Sequence, residues 1–136
     1  MGVKKSPDPL MFSLLHAAHA LEDRIEAALA TVDLSLPKLN VLSQLVLAGE
    51  PLPLSDLAAR MACVRSNITQ LVDRLEADGL VKREDDPSDR RSIRATLTPL
   101  GRERQRAGAK HLESVQAAFA GVLSEEDRTA LTRAFS

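Results

Sequence analysis

A thirteen-residue run near the middle of the chain, RSNITQLVDRLEA, carries side chains that can read the edges of base pairs. Its apolar residues recur at i, i+3, i+4 and i+7, the spacing of a buried helix face: Ile68, Leu71, Val72 and Leu75. The opposite face would hold Arg65, Ser66, Asn67, Thr69, Gln70, Asp73 and Arg74. Arginine can bind guanine, and asparagine or glutamine can bind adenine, through paired hydrogen bonds. The run therefore predicts a helix that can enter a DNA major groove.

The order of residues along this helix predicts their partners. Residues near the start of such a helix reach deepest into the groove, so base contacts are expected there. The expected base readers are Arg65, Ser66, Asn67 and Gln70. Thr69 can serve bases or phosphates, and Arg74 is expected to contact phosphate. An ordinary solvated face is the alternative, because these residue types are common on exposed helices.

A second group of candidate contacts lies in the polar segment DDPSDRR, between strand-like stretches at 80–84 and 92–97. The second stretch alternates polar and apolar residues, so the two predict a β-hairpin, with a longer connection than a tight turn. Arg90 and Arg91 at its tip could reach a minor groove, where the negative potential attracts arginine. Three aspartates cancel the charge of this loop, so some must pair internally. Asp89 with Arg91 is a candidate for such a shaping ion pair.

Helices are expected to position both groups. Apolar residues at spacings of three and four predict a long helix from Leu10 to about Val32. Ser35 is the expected N-cap of a second helix, which Gly49 ends. The two prolines of GEPLPL predict a turn, and Ser55 is the expected N-cap of a short third helix.

The segments after the run RSNITQLVDRLEA carry clear end signals as well. Gly79 suits the left-handed position that ends the helix begun near Arg65. Thr98 followed by proline predicts the start of a long helix that runs to about Gly121. Ser124, with an aspartate three residues on, resembles a capping box that starts a last helix.

Composition is consistent with one mainly helical domain. The chain has 136 residues, 44% of them apolar, with three Phe and neither Trp nor Tyr, so its core must be aliphatic. The net charge of −1 hides an asymmetry, because residues 60–106 hold 11 basic and 8 acidic groups. No apolar stretch is long enough to span a membrane and the start lacks a signal peptide, so we expect a cytoplasmic protein without membrane contact.

Residues 54–103, LSDLAARMACVRSNITQLVDRLEADGLVKREDDPSDRRSIRATLTPLGRE, resemble the MarR-type regulators, and the likeness extends over nearly the whole chain. The most specific part is VDRLEADGLVKRE followed by DPSDRRS and LTPLG. The resemblance implies a winged helix-turn-helix in a single domain, residues 1–136, mainly α with a small β-hairpin wing. It also implies a DNA-binding lobe at about 36–98, and dimerisation through helices at about 9–32 and 99–136.

The same resemblance implies roles for particular residues. The recognition helix would run from about Arg65 to Ala77, and Asp89, Arg90 and Arg91 would tip the wing. The chain departs from the usual pattern at ACV, residues 62–64, where such proteins commonly show Gly, an aliphatic residue and a Ser cap. Val64 cannot cap through its side chain.

The implied function is a sequence-specific double-stranded DNA-binding transcription regulator that works as a homodimer. It would read a pseudo-palindromic operator with half-sites about one helical turn apart, usually as a repressor. A small aromatic or phenolic effector would release it. The alternative of a different class is a winged-helix module that contacts another protein without binding an operator. An enzyme is not expected, because nucleophile-elbow and phosphate-loop motifs are absent, and no cofactor is implied.

Two further features have simpler explanations than a site. Cys63 could be a redox sensor near a helix start, but a buried cysteine in a turn behaves as a small hydrophobe. His16, His19 and Asp23 share one face of the first helix, and His111 is a conceivable fourth ligand from another helix. Because solvated or interface histidines are far commoner, no metal is expected.

Overall fold

The computed structural model describes residues 9–61 and 65–136, with side chains described from residue 67 onward in the second range. Six helices and three short strands lie within these ranges. In chain order they are α1 (Leu10–Ala30), α2 (Leu36–Ala48), β1 (Leu52–Pro53), α3 (Leu54–Met61), α4 (Arg65–Ala77), β2 (Val81–Asp86), β3 (Asp89–Leu97), α5 (Pro99–Gly121) and α6 (Glu125–Ala134). The mainly helical fold class expected from the sequence is confirmed.

Local end signals set most helix boundaries. The Ser35 side chain accepts a hydrogen bond from the Lys38 backbone at 3.3 Å, so it caps α2 as predicted. Gly49 ends the same helix in the left-handed region, at φ 70°. The expected cap at Ser55 is wrong, because α3 begins one residue earlier, at Leu54, and Ser55 lies inside it.

α4 begins and ends where the sequence predicts. Gly79 has φ +79°, and two backbone bonds close the helix end: Gly79 N–H to the Glu76 carbonyl at 2.9 Å, and Leu80 N–H to the Leu75 carbonyl at 2.9 Å. These are the paired bonds of a Schellman motif, which satisfies the last carbonyls of a helix. Residues 62–64, for which the sequence predicts a turn, lie outside the described residues, and Cys63 is one of them.

The three strands form one antiparallel sheet in the order β1-β3-β2. The GEPLPL segment is therefore not only a turn, because Leu52 within it pairs with Ala95 of β3. The prediction of a long hairpin loop is also wrong: only Pro87 and Ser88 separate β2 from β3. Asp86 explains the short connection, because its carboxylate accepts bonds from the backbone and hydroxyl of Ser88 at 2.9 and 2.7 Å.

The core lies in the lobe that α2, α3, α4 and the sheet enclose. Fifteen apolar residues form this core, with Leu29 contributed by α1, and no buried residue among those described is polar or charged. α5 packs closely onto this lobe at two glycines. A Cβ atom at Gly101 would overlap the Leu80 carbonyl oxygen, and one at Gly108 would lie 2.7 Å from Leu34.

The long helices outside the lobe leave much apolar surface uncovered. α1 buries only Leu29, and α6 buries none of its side chains. The capping box predicted at Ser124 is present, with Asp127 as its second member. Within the described ranges, every helix is too short or too polar to pass through a lipid bilayer.

Candidate nucleic-acid interface

α4 separates its apolar and polar residues onto opposite faces. Ile68, Val72 and Leu75 are fully buried, and Leu71 is partly buried against the same core. The exposed residues of the helix include Asn67, Thr69, Gln70, Asp73 and Arg74. This division is the one that the spacing predicts. The side chains of Arg65 and Ser66 lie outside the described part, although both residues belong to the first turn of the helix.

The wing presents Arg90 and Arg91 to solvent at the tip of the hairpin. The ion pair expected between Asp89 and Arg91 is not formed. The Asp89 carboxylate accepts the Arg91 backbone N–H at 3.0 Å, and no ion pair joins these two side chains. The aspartate therefore shapes the tip through the main chain and leaves the Arg91 guanidinium outside that contact.

A second aspartate shapes the same tip. The backbone N–H of Ser88, and then its hydroxyl, hold the pKa of the Asp86 carboxyl below its usual range. Because hydrogen bonds to the ionised form cause this shift, Asp86 stays charged while it closes the turn.

Internal pairing engages most of the acidic groups around this surface. Lys38 binds Asp78 at 2.9 Å, and Arg94 approaches Glu84 at 3.4 Å. Arg83 holds the carboxylates of both Asp73 and Glu76. Among the described side chains, Arg74, Arg90 and Arg91 take part in none of these ion pairs. The guanidinium groups that face outward are therefore available to phosphates, although the net charge of the chain is negative.

Two grooves flank α4 and bring the candidate residues together. One lies between α4 and the start of α2, where Asn67, Gln70 and Arg74 share the walls with Lys38. The other joins α4 to the wing, and Thr69 and Arg91 line it. Sequence reasoning missed Lys38, because nothing local shows that α2 begins beside the recognition helix.

The histidines that the sequence raised as metal ligands include two on α1. His16 and His19 are exposed on α1. Among the described residues, no group of three or more His, Cys, Asp or Glu side chains is placed to hold a metal ion.

The helix-turn-helix order, with a three-stranded sheet whose hairpin projects beside α4, defines a winged helix-turn-helix protein. Residues 34–93 match the sequence profile of the MarR family. The uncharacterized HTH-type transcriptional regulator YsmB of Bacillus subtilis is 30% identical over 115 residues, which cover 84% of this chain and 78% of that protein. The chain belongs to the MarR family of transcription regulators.

Another relative, the uncharacterized HTH-type transcriptional regulator YkoM of Bacillus subtilis, is 33% identical over 84 residues. That match spans 61% of this chain but only 54% of YkoM, about half of its length.

Solved structures agree over almost the whole chain. AbsC, a MarR family transcriptional regulator from Streptomyces coelicolor, is 28% identical with a TM-score of 0.84, covering 100% of this chain and 93% of AbsC. The transcriptional repressor CouR, solved on a 23-mer DNA duplex, is 25% identical with a TM-score of 0.82, covering 98% of this chain and 96% of CouR. The winged-helix fold expected from the sequence is thus confirmed.

Proposed function

We propose that two copies of this chain bind one pseudo-palindromic operator and repress transcription. α4 of each copy enters a major groove, and the wing arginines Arg90 and Arg91 enter the adjacent minor groove. The observation that carries this proposal is the division of α4, in which Ile68 is fully buried while Asn67 and Gln70 are exposed. The CouR complex supports it, because a protein of the same fold is seen there on a DNA duplex.

Uncovered apolar surface supports the homodimer. Large apolar residues on α1, α5 and α6 are exposed in the single chain: Leu10, Met11, Phe12, Leu14, Leu15, Leu100, Phe119, Leu131 and Phe135. Phe12, for example, is 60% exposed and Phe135 is 66% exposed. Extended apolar patches of this kind mark interfaces rather than free surface. A second copy that covers them would place two recognition helices on one DNA molecule, with half-sites about one helical turn apart.

The same exposed apolar residues support a division of the domain into a DNA-binding lobe and dimerisation helices. A single domain over 1–136 would contain a DNA-binding lobe at about 36–98 and dimerisation helices at about 9–32 and 99–136. We assign the protein to the cytoplasm, where its DNA lies, and assign it no catalytic activity. Membership of the MarR family is the reason to expect a small aromatic or phenolic effector that releases the operator by favouring another spacing of the two lobes.

The proposal is tested in two stages, of which the first finds the operator. Duplexes that the full chain retains from a random pool are sequenced, and a pseudo-palindrome is expected among them. Affinity for the selected duplex should fall steeply between low and moderate salt, because phosphate contacts release counterions. Absence of duplex affinity even at low salt would instead indicate the protein-binding module.

The second stage assigns the contacts by gel shift. Arg90→Ala should weaken binding to every sequence and reduce the salt slope by about one unit. Gln70→Ala should instead alter the preferred base at a single position in each half-site. Arg128→Ala removes an exposed arginine of α6, outside the DNA-binding lobe, and is the charge-matched control. Once size-exclusion chromatography shows that this variant is still a dimer, both properties should be unchanged. If Arg90→Ala and Gln70→Ala both behave like this control, the assignment of the reading face is wrong.

A further inference from the structure

Arg83, the third residue of β2, is bound to α4 through three separate contacts. Its backbone N–H donates to one carboxylate oxygen of Glu76 at 2.9 Å, and its Nε donates to the other at 3.1 Å. Its terminal guanidinium nitrogen lies 2.5 Å from a carboxylate oxygen of Asp73. Asp73 and Glu76 are one helical turn apart on the same face, so a single arginine spans both. We call this group the Arg83 clamp.

The clamp lies at the outer limit of the packed part of the hairpin, because Arg83 pairs across the sheet with Ala95, the one fully buried residue of β3. Val81 is the last fully buried residue of β2, and Lys82 to Asp85 are all exposed. Hydrophobic contacts therefore hold the base of the hairpin but not its outer half. Among the described side chains, no other ion pair joins α4 to the wing, since Lys38 binds Asp78 from α2 and Arg94 binds Glu84 within the sheet.

The way in which Arg83 bonds to the helix restricts the strand itself. A contact through the side chain alone would allow the backbone of β2 to swing, because a long side chain can follow its partner. Here the main-chain N–H of Arg83 is held by the same carboxylate as its Nε. The fork geometry of the guanidinium adds a direction to these bonds, which a point charge would not. The clamp therefore fixes how the outer hairpin leaves α4.

We propose that Arg83 is a positioning residue for operator binding, which holds the wing at the angle that lets Arg90 and Arg91 reach their groove while α4 occupies the major groove. This inference rests on the proposed function, in which these two arginines contact DNA. Arg83 itself would act through them and not by its own contact with the duplex.

A rival role for Arg83 is to neutralise two carboxylates that face the DNA side. The two roles predict opposite results for the double variant Asp73→Asn with Glu76→Gln, which removes both charges and breaks the clamp. If Arg83 positions the wing, affinity for the selected operator should fall about tenfold, as for Arg83→Gln. Unchanged or tighter binding would overturn the positioning role, because removal of negative charge favours a phosphate backbone.

A double-mutant cycle with Arg90 provides the decisive measurement. Arg83→Gln alone should weaken binding about tenfold, and Arg90→Ala should have a much smaller effect in the Arg83→Gln background than in the original chain. Additive losses would overturn the proposal, because they would show that Arg83 does not act through Arg90. Arg83→Lys should behave like Arg83→Gln, since lysine keeps the charge but lacks the fork.

Two controls separate this proposal from a folding defect and from failure of the proposed function. The clamp is partly exposed, and surface ion pairs contribute little to stability, so the melting temperature should change little in every variant. A large fall in that temperature that parallels the loss of affinity would overturn the positioning role. If Arg90→Ala alone has no effect, the wing contact of the proposed function fails. If it weakens binding and the cycle is additive, only the positioning role fails.

Discussion

The hydroxyl group of Thr98 donates a hydrogen bond to the carbonyl oxygen of Gly79 at 2.7 Å. The hydroxyl oxygen of Thr98 in turn accepts the N–H of Gly101 at 2.9 Å, so Thr98 caps α5. A third bond joins the Thr98 N–H to the Leu80 carbonyl at 3.1 Å. Thr98 therefore ties the chain at the end of α4 to the first turn of α5.

Replacement of this hydroxyl should weaken the junction. Thr98→Ala removes both the cap and the bond to Gly79, and we expect it to lower the free energy of unfolding by about 1 to 2 kcal/mol. Urea denaturation followed by circular dichroism measures this loss. Thr132→Ala, on the exposed surface of α6, is the control and should be nearly neutral. Equal stability of the two variants would contradict the role of Thr98.

Gly101 should tolerate no side chain. A Cβ atom there would overlap the Leu80 carbonyl and lie 2.9 Å from a methyl group of Leu97, so Gly101→Ala should cost about 3 kcal/mol. Gly121→Ala, at the exposed end of the same helix, meets no atom within 4 Å and should be neutral or slightly stabilising. Thermal unfolding of both variants gives the comparison, and a stable Gly101→Ala protein would show that α5 can move away from Leu80.

Stability should also depend on pH through Glu76. The backbone N–H of Arg83 holds the pKa of this carboxyl below its ordinary value of 4.5. Since the folded protein binds this proton less tightly than the unfolded chain, the contribution is present above pH 4.5 and disappears as the pH falls through the folded pKa. The difference in unfolding free energy between the original chain and Glu76→Gln should therefore shrink in acid.

Urea unfolding at a series of pH values tests this, with Glu50→Gln in the turn after α2 as the control. The same difference at all pH values for Glu76→Gln would rule out the linkage.

Arg74 and Asn67 should differ in how they affect recognition. Arg74→Ala should reduce affinity by a similar factor for operator and random duplexes, because a phosphate contact carries no base information. Asn67→Ala should reduce affinity for the operator alone, by about 1 to 3 kcal/mol. Competition gel shifts with both duplexes separate the two patterns. A loss confined to the operator for Arg74→Ala would assign it to a base instead.

The helices were predictable because their signals are local. Ser35 and Thr98 cap helices through backbone groups three residues away, and Gly49 and Gly79 adopt left-handed conformations within their own turns. Such residues bond to groups only a few positions away, so the local sequence is enough to predict where these helices begin and end.

Apart from the cap expected at Ser55, the errors of fold concern the sheet, where the partner of a strand can be distant along the chain. Leu52 lies in a proline-containing segment that reads as a turn, and its strand exists only because Ala95 of β3 comes beside it. The sequence of the hairpin tip predicts a long loop because it contains no large apolar residue. Pairing of an exposed hairpin leaves no hydrophobic alternation to detect.

The sequence predicts the exposed face of α4 but not the contacts that join α4 to the wing. Spacing alone places Asn67 and Gln70 opposite Ile68, so the exposed face of α4 follows from helical geometry. The bond from Arg83 to Glu76 depends on how β2 leaves Gly79, which is a tertiary property. The sequence predicted that some acidic residues pair internally, but the pair that it named, Asp89 with Arg91, is not among the ion pairs formed.

The length of α5 would affect the distance between the DNA-binding lobes of two paired copies. It is one helix of 23 residues, roughly 34 Å from end to end at the usual rise. At Gly101 and Gly108 its first half packs closely against Leu80 and Leu34, whereas Phe119 near its other end is exposed. Because α5 is held at its first half, a slight tilt there would move its far end by a larger distance. Pressure on the far end would therefore be felt at Leu80, just after the last turn of α4.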